Sequence, residues 1–298
     1  MEAYRSHSKS PHLAAETLEE AVGLPEERRS PAGTARRRLG WMPFWQRYRR
    51  AGLPDYLVRH YWWAYQWGVG MWFFDHRPII NAILFGHYRV LRDAAVERVT
   101  KTAGGRILQL ACVYGDLTPM LARQLRGDAP GSTPGEGFVV VDVYLPQLRL
   151  AERKCSDPRG NRSAFACMNA ERLGFAQGSF DTVLVFFLLH EMPPDARTRT
   201  LAEVARVLRP GGRLVLVEYG ERGRRHVFHR FAPLRAAIEF LEPFLGRFWT
   251  ERIGSRLGAA AVPFAKRFGK CSERGVFGGF YRVCEYGYEP DGVRGAEH

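Results

Sequence analysis

The chain has 298 residues, of which 46% are hydrophobic and 13% aromatic, enough to bury one substantial core with additions around it. No run reaches the ~18 apolar residues of a membrane-spanning helix, and the five cysteines have no CxxC or other zinc-type spacing. The formal charge of +13 suits nucleic acid or anionic lipid equally well, but the aromatic residues fall in apolar clusters rather than among lysines. No nucleic-acid partner is expected.

Residues 1–40 are polar, with glutamates 16, 19, 20, 26 and 27 followed by Arg36-Arg-Arg38. That composition reads as a disordered tail, too rich in acids for a transit peptide. Residues 41–101 are helical in texture and aromatic, with Tyr61-Trp-Trp-Ala-Tyr65 and Met71-Trp-Phe-Phe74, and read as a cap facing a membrane. From 106 to 219 apolar strand-like runs alternate with amphipathic helices. Strands are predicted at 106–112, 137–142, 164–168, 182–188 and 213–218. Helices are predicted at 118–125 and 196–208, the latter stopped by Pro210-Gly-Gly212. Residues 222–270 read as a helical insert, followed by two strand-like runs to 286 and a flexible terminus at 287–298. Cys112 and Cys284 fall in predicted buried strands, which favours a reduced, intracellular protein.

Such an alternation predicts a mainly parallel sheet with helices on both faces and a ligand at the carboxyl ends of the strands. The polar residues at those ends are therefore the candidates. Asp142 closes the second strand, where a carboxylate accepts hydrogen bonds from both ribose hydroxyls; the competing reading is a capping Asp. Asn169 follows the third strand and offers its side-chain carbonyl to an adenine amino group, or forms an Asx-turn. His190 and Glu191 lie just past the fourth strand, as general base, substrate partners or ligands of a divalent ion, against an ordinary helix-start loop. Glu218 and Tyr219 close the fifth strand and have a weaker claim of the same kind.

The turn after the first strand is the most informative segment. In Ile107-Leu-Gln-Leu-Ala-Cys-Val-Tyr-Gly-Asp-Leu-Thr118, a loop ends at Gly115 and enters a helix N-terminus, which attracts polar ligand groups. A typical S-adenosylmethionine loop reads acid-x-Gly-x-Gly-x-Gly. Here Gln109 stands at the acidic position, Ala111 and Val113 replace the first two glycines, and only Gly115 survives. Tyr114 must fill or stack on space that glycine leaves open. Asp116 and Thr118 open the next helix, where both also suit the helix dipole.

Gly178-Ser-Phe-Asp-Thr-Val183 and Val207-Leu-Arg-Pro-Gly-Gly-Arg-Leu-Val215 resemble class I S-adenosylmethionine-dependent methyltransferases, especially the branch acting on quinone precursors. That resemblance implies a Rossmann-like, seven-stranded α/β fold with an N-terminal helical extension. The departures resemble a narrower group, the rhodoquinone biosynthesis family: Ala111-Cys-Val-Tyr-Gly-Asp-Leu-Thr118, Asp142-Val-Tyr-Leu-Pro-Gln-Leu148 and Phe186-Phe-Leu-Leu-His-Glu-Met-Pro193. The flanks Tyr61-Trp-Trp-Ala-Tyr65, Leu84-Phe-Gly-His-Tyr88 with Leu91-Arg-Asp-Ala-Ala95, and Val276-Phe-Gly-Gly-Phe-Tyr281 agree with it.

The resemblance implies conversion of ubiquinone to rhodoquinone, an amino group replacing a ring methoxy group. S-adenosylmethionine is implied as apparent amino donor, with Mn2+ assisting. Ala111, Val113, Tyr114, Gly115, Thr118, Asp142 and Asn169 are expected to hold S-adenosylmethionine. Tyr114, Asp116, His190 and Glu191 are the catalytic candidates, and Asp116, His190 and Glu191 the candidate metal ligands. A conventional methyltransferase of a quinone or phenol precursor is the alternative. Ubiquinone's isoprenoid tail implies a cytoplasmic protein docked on the inner face of the membrane. Residues 41–50 and 231–249 carry the aromatic, apolar and arginine pattern for that contact.

Overall fold

In the computed structural model, which describes residues 52–61, 68–101, 105–112, 114–126, 137–156, 163–223 and 226–289, the middle of the chain is built on one seven-stranded sheet. Its order is β3-β2-β1-β4-β5-β7-β6. The strands are β1 (Arg106–Leu110), β2 (Gly137–Asp142), β3 (Ser163–Cys167), β4 (Phe180–Phe186), β5 (Leu208–Tyr219), β6 (Arg267–Val276) and β7 (Tyr281–Glu289). Neighbours from β3 to β5 pair in parallel, while β7 runs antiparallel to both β5 and β6. Every residue of β4 is buried. Since alternate side chains point to opposite faces, both faces of the sheet centre are covered.

The register aligns the strand ends that matter. Leu110 lies opposite Val141 on one side and Val185 on the other, and Phe186 lies opposite Val217. The carboxyl ends of β1, β2, β4 and β5 therefore reach one edge together. Two of them turn sharply there: Ala111 (φ 68) and Phe187 (φ 51) both take left-handed backbone. These turns stop β1 and β4 two residues short of the predicted 112 and 188.

Helices α1 (Asp55–His60), α2 (Gly68–Phe74), α3 (Arg77–Ile83) and α4 (Tyr88–Thr100) precede the sheet, and α4 packs on β4, β5 and β7. Between strands come α5 (Leu117–Leu125), α6 (Leu145–Cys155) and α7 (Pro194–Val207). After β5 follow α8 (Val227–Arg230), α9 (Ala232–Leu241), α10 (Leu245–Phe248) and α11 (Ile253–Ala261). Pro210-Gly-Gly212 does not separate α7 from its strand: β5 begins directly at Leu208, and the triplet is absorbed where the β4–β5 register shifts. A side chain at Gly212 would come within 2.8 Å of the Arg209 carbonyl, so the irregularity needs glycine there.

β7 continues to Glu289, so the first three residues of the predicted flexible terminus, 287–289, are the last three of a strand. The tail at 1–40, the segment 41–50, the aromatic run 62–65, Val113 and residues 290–298 lie outside the described residues. Among the described residues no helix is long and apolar enough to cross a membrane.

Candidate functional site

A cavity opens at the carboxyl edge of the sheet. Its floor is Ala111, Cys112, Asp142, Asn169, Phe187 and Tyr219, and its roof comes from α1 and α3 through Leu53, Tyr56, Leu57, Ile80, Ile83 and Leu84. Tyr114, His190, Glu191 and Glu242 line it as well. Of the expected residues, the structure thus brings Ala111, Tyr114, Asp142, Asn169, His190 and Glu191 to one cavity.

The loop after β1 keeps the left-handed turn of a glycine at Ala111, whose N–H donates to the Val141 carbonyl at 2.8 Å. Gln109 is completely buried; its amide donates to the Ala111 carbonyl at 3.0 Å and to Thr118 Oγ1 at 2.9 Å. A carboxylate at 109 has no proton to give either partner, so glutamine stitches the loop to its own helix. Thr118 is thereby used inside the loop. Gly115 (φ 90) is retained for a neighbour: a side chain there would come within 2.5 Å of the Tyr88 hydroxyl.

That hydroxyl accepts from the N–H groups of Asp116 (2.8 Å) and Leu117 (3.2 Å) and donates to Asp116 Oδ1 at 3.0 Å. Arg92, almost wholly buried on α4, grips the same carboxylate through both oxygens at 2.8 and 2.7 Å, and Arg77 reaches it at 3.3 Å. Burial raises the Asp116 pKa, but the Arg92 and Tyr88 hydrogen bonds outweigh it and the net shift is downward. The carboxylate is spent on α4 rather than on the cavity. Asp75, in the α2–α3 turn, accepts from the Gly115 N–H at 3.2 Å and pairs with Lys154 at 2.5 Å, clamping the loop from outside. Tyr114 faces the cavity beside Phe74, ring centroids 6.0 Å apart.

Asp142 is buried and takes the Cys112 and Tyr144 N–H groups, both at 2.7 Å. Burial pushes its pKa up to about 6 against those bonds, which pull it down. Asn169 accepts the Glu171 N–H at 2.9 Å, the Asx bond that was its competing reading, and still lines the cavity.

Past β4, the single 3-10 turn Leu189–Glu191 carries His190. Glu218, fully buried on β5, accepts the Leu189 N–H at 2.6 Å through one oxygen and meets His190 Nδ1 at 2.9 Å through the other. Glu242, directly after α9, lies 3.9 Å from Nε2 and accepts the Tyr61 hydroxyl at 2.9 Å. Burial alone would depress the His190 pKa; the Glu218 charge and hydrogen bond, then Glu242 and Glu191, override it and raise it to about 9. Burial also lifts the Glu242 carboxyl above its usual range. Glu242 carried no signal in the sequence, and Tyr61 only that of the aromatic run Tyr61-Trp-Trp-Ala-Tyr65, not of a site. They sit on distant elements and meet only in the fold.

The three candidate metal ligands do not form a set. Asp116 is committed to Arg92 and Tyr88, and the Nδ1 of His190 is committed to Glu218. Among the described residues no group of three or more His, Cys, Asp or Glu is arranged to hold a metal ion. This donor set does not fit Mn2+.

The sheet order and its antiparallel β7 define the Rossmann-like fold of class I methyltransferases. A solved structure with this fold is magnesium protoporphyrin IX methyltransferase from Synechocystis PCC 6803, at TM-score 0.51 and 14% identity over 78% of this chain and 99% of that one. Residues 75–254 match the ubiE/COQ5 methyltransferase family, and the chain belongs to it. Similar relatives are a demethylmenaquinone methyltransferase of Lactiplantibacillus plantarum (34% identity, covering 46% of this chain and 55% of that one) and the Drosophila melanogaster mitochondrial 2-methoxy-6-polyprenyl-1,4-benzoquinol methylase (30%, covering 47% and 48%). The chain thus spans about half the length of these relatives.

Proposed function

We propose that this protein modifies a membrane quinone with S-adenosylmethionine and that its reaction is amination: ubiquinone is converted to rhodoquinone, an amino group replacing a ring methoxy group. The observation that carries the reading is the loop filled from within. Family members with a glycine-rich turn leave room there for the amino-acid end of the co-substrate. Here Gln109, Thr118, Tyr88 and the Asp116–Arg92 pair bond the loop to itself and to α4, and Tyr114 projects into the cavity. An amino-acid end displaced from that cradle turns toward the quinone ring, where its nitrogen rather than its methyl group is presented.

The residues fit the nucleoside part. Asp142, buried at the end of β2, suits ribose hydroxyls, and Asn169 with Met168 and Tyr144 lines the place of the base. Bound there, S-adenosylmethionine supplies an amino nitrogen or a methyl group, depending on its pose. The apolar roof from α1 and α3 suits a quinone ring and the start of its tail. Outside, Trp72 and Phe73 on α2, Ile83 on α3 and Phe85 just after it are exposed, as are Val227 on α8, Phe231 between α8 and α9, and Phe240 and Leu241 on α9. Phe85 touches Phe228 with ring centroids 4.6 Å apart, joining the two groups, and arginines 77, 230 and 89 are exposed on α3, α8 and the start of α4. That surface suits anionic lipid.

C-methylation of a quinol precursor is the second reading, favoured by what the relatives are named for. One experiment separates the two. Liposomes carrying ubiquinone, with and without anionic lipid, are mixed with protein and S-adenosylmethionine labelled with 15N in its amino group. Labelled aminoquinone, formed mainly on anionic vesicles that co-sediment the protein, is expected. An unlabelled aminoquinone would sink S-adenosylmethionine as the nitrogen donor, and no aminoquinone, with methylation of a demethylated precursor supplied in a parallel sample, would sink the amination reading; equal product without co-sedimentation would sink the membrane contact.

A further inference from the structure

Four groups from four separate elements converge on the roofed end of the cavity, and their order is that of a proton relay. Glu218 has no solvent exposure and spends one oxygen on the Leu189 N–H, so its other oxygen is fixed against His190 Nδ1. Arg197, fully buried on α7, donates to the Leu189 and Met192 carbonyls at 2.9 and 2.8 Å and holds the turn from behind. Tyr219 and Phe187 wall the imidazole edge-on, with centroids at 4.9 and 5.8 Å. With Nδ1 taken and the ring walled, Nε2 is the nitrogen left to serve the cavity.

We infer that Glu218, His190 and Glu242 form one proton-handling unit: Glu218 positions the imidazole, His190 Nε2 exchanges a proton with the bound ring, and Glu242, held by Tyr61, carries the proton of the nucleophile. This rests on the reading of the cavity as a quinone site. When a nitrogen nucleophile adds to the ring carbon bearing the methoxy group, a C–N bond forms and an electron pair moves to a ring oxygen. Nε2–H, kept protonated between two carboxylates, donates to that oxygen. When the carbonyl re-forms, that proton returns to Nε2, the C–O bond to methoxy breaks, and the pair leaves with the methoxide. The proton shed by the nitrogen passes through Glu242 to the methoxide, which departs as methanol. This displacement balances as methanol against a secondary amine still joined to the donor's Cα. The free amine forms when the N–H and Cα–H hydrogens pass to the two ring oxygens, leaving a quinol-level ring and an N=Cα imine. Water hydrolyses that imine to the aminoquinol and the donor's 2-oxo acid, so that the quinone itself is the oxidant.

The test compares Glu218→Gln, Glu218→Asp and Glu242→Gln with the unaltered protein. Expected for Glu218→Gln is a fall in kcat of about 100- to 10,000-fold with little change in the Kd of S-adenosylmethionine, since general acid–base groups contribute on that order. Glu218→Asp is expected to recover part of it. Glu242→Gln, whose side chain is partly exposed, keeps the test open where the buried substitution impairs folding, and is expected to lose kcat at least tenfold. In 15N spectra of the unaltered protein, His190 Nδ1 is expected to carry a hydrogen-bonded proton that Glu218→Asp shifts. A folded Glu218→Gln variant within about threefold of normal kcat, or an Nδ1 without a proton, overturns the inference. The ring-nitrogen readout needs no turnover, and kcat is read on whichever product forms, so a methylated product would remove the amination reading and leave the relay to be judged separately.

Discussion

The two ends of the cavity are built by opposite rules. At the ends of β1, β2 and β3, the polar groups are spent mainly on the backbone and hydroxyl groups of the turns at that edge: Gln109 on Ala111 and Thr118, Asp142 on Cys112 and Tyr144, Asn169 on Glu171. Past β4 and β5, the polar groups bond across elements, from Tyr61 through Glu242 and His190 to Glu218. The first arrangement fixes a backbone shape and leaves the cavity to be read by a few carboxylate and amide edges. The second suspends titratable side chains in an apolar wall, where each one's charge depends on the others. Shape is stored at one end and protons at the other.

The sharpest way to break this contrast is to remove a charge from each end. Asp116→Ala strips Arg92 of its main partner, leaving a nearly buried guanidinium with only the exposed Asp93. A loss of about 3 kcal/mol in unfolding free energy is expected from denaturant titration. Glu242→Gln, with a partly exposed carboxylate of raised pKa, is expected to change stability by less than about 1 kcal/mol. Comparable losses at both sites would mean that the two ends are equally structural.

This contrast also explains what was legible in the chain itself. The strands, their order of appearance, and the strand-end residues Ala111, Asp142, Asn169 and His190 follow from local periodicity and from the rule that ligands sit at carboxyl edges. The odd loop was visible too, but not its cause. Nothing in the spacing says that Gly115 is kept for Tyr88, or that Asp116 belongs to Arg92, because those contacts join α4 to a turn some 24 to 28 residues away. Glu242 and Tyr61 are 181 residues apart in the chain and lie in segments whose sequence reads only as aromatic helix. Long-range polar pairs leave no periodic trace. Motif reading therefore finds the loop-bonded end of a site before the cross-bonded end.

A smaller effect sharpens the account of the loop-bonded end. Burial holds Asp142 at a pKa of about 6, above the ordinary carboxylate. On the proposed reading its ionised form accepts from the ribose hydroxyls, so ligand binding would favour the form present above that pKa and be lost as pH falls through it. Between pH 8 and pH 5 the affinity for S-adenosylmethionine is expected to drop about tenfold by calorimetry. Asp142→Asn is expected to bind weakly at every pH with a flatter profile. A steep profile surviving that substitution would assign the titration elsewhere.

The smallest expected effect concerns Ala111 and the memory of a glycine turn in its backbone. At φ 68 an alanine sits where L side chains cost about 1–2 kcal/mol, and only the surrounding bonds to Val141 and Gln109 hold it there. Ala111→Gly removes that strain but gives the unfolded chain more freedom, worth about 0.4–1 kcal/mol in the other direction. A net gain of about 0.5 kcal/mol is expected, visible as a small rise in Tm. If the loop is instead held in shape by the methyl group packing at the cavity floor, the variant loses stability, and the claim that bonds rather than packing define this end fails with it.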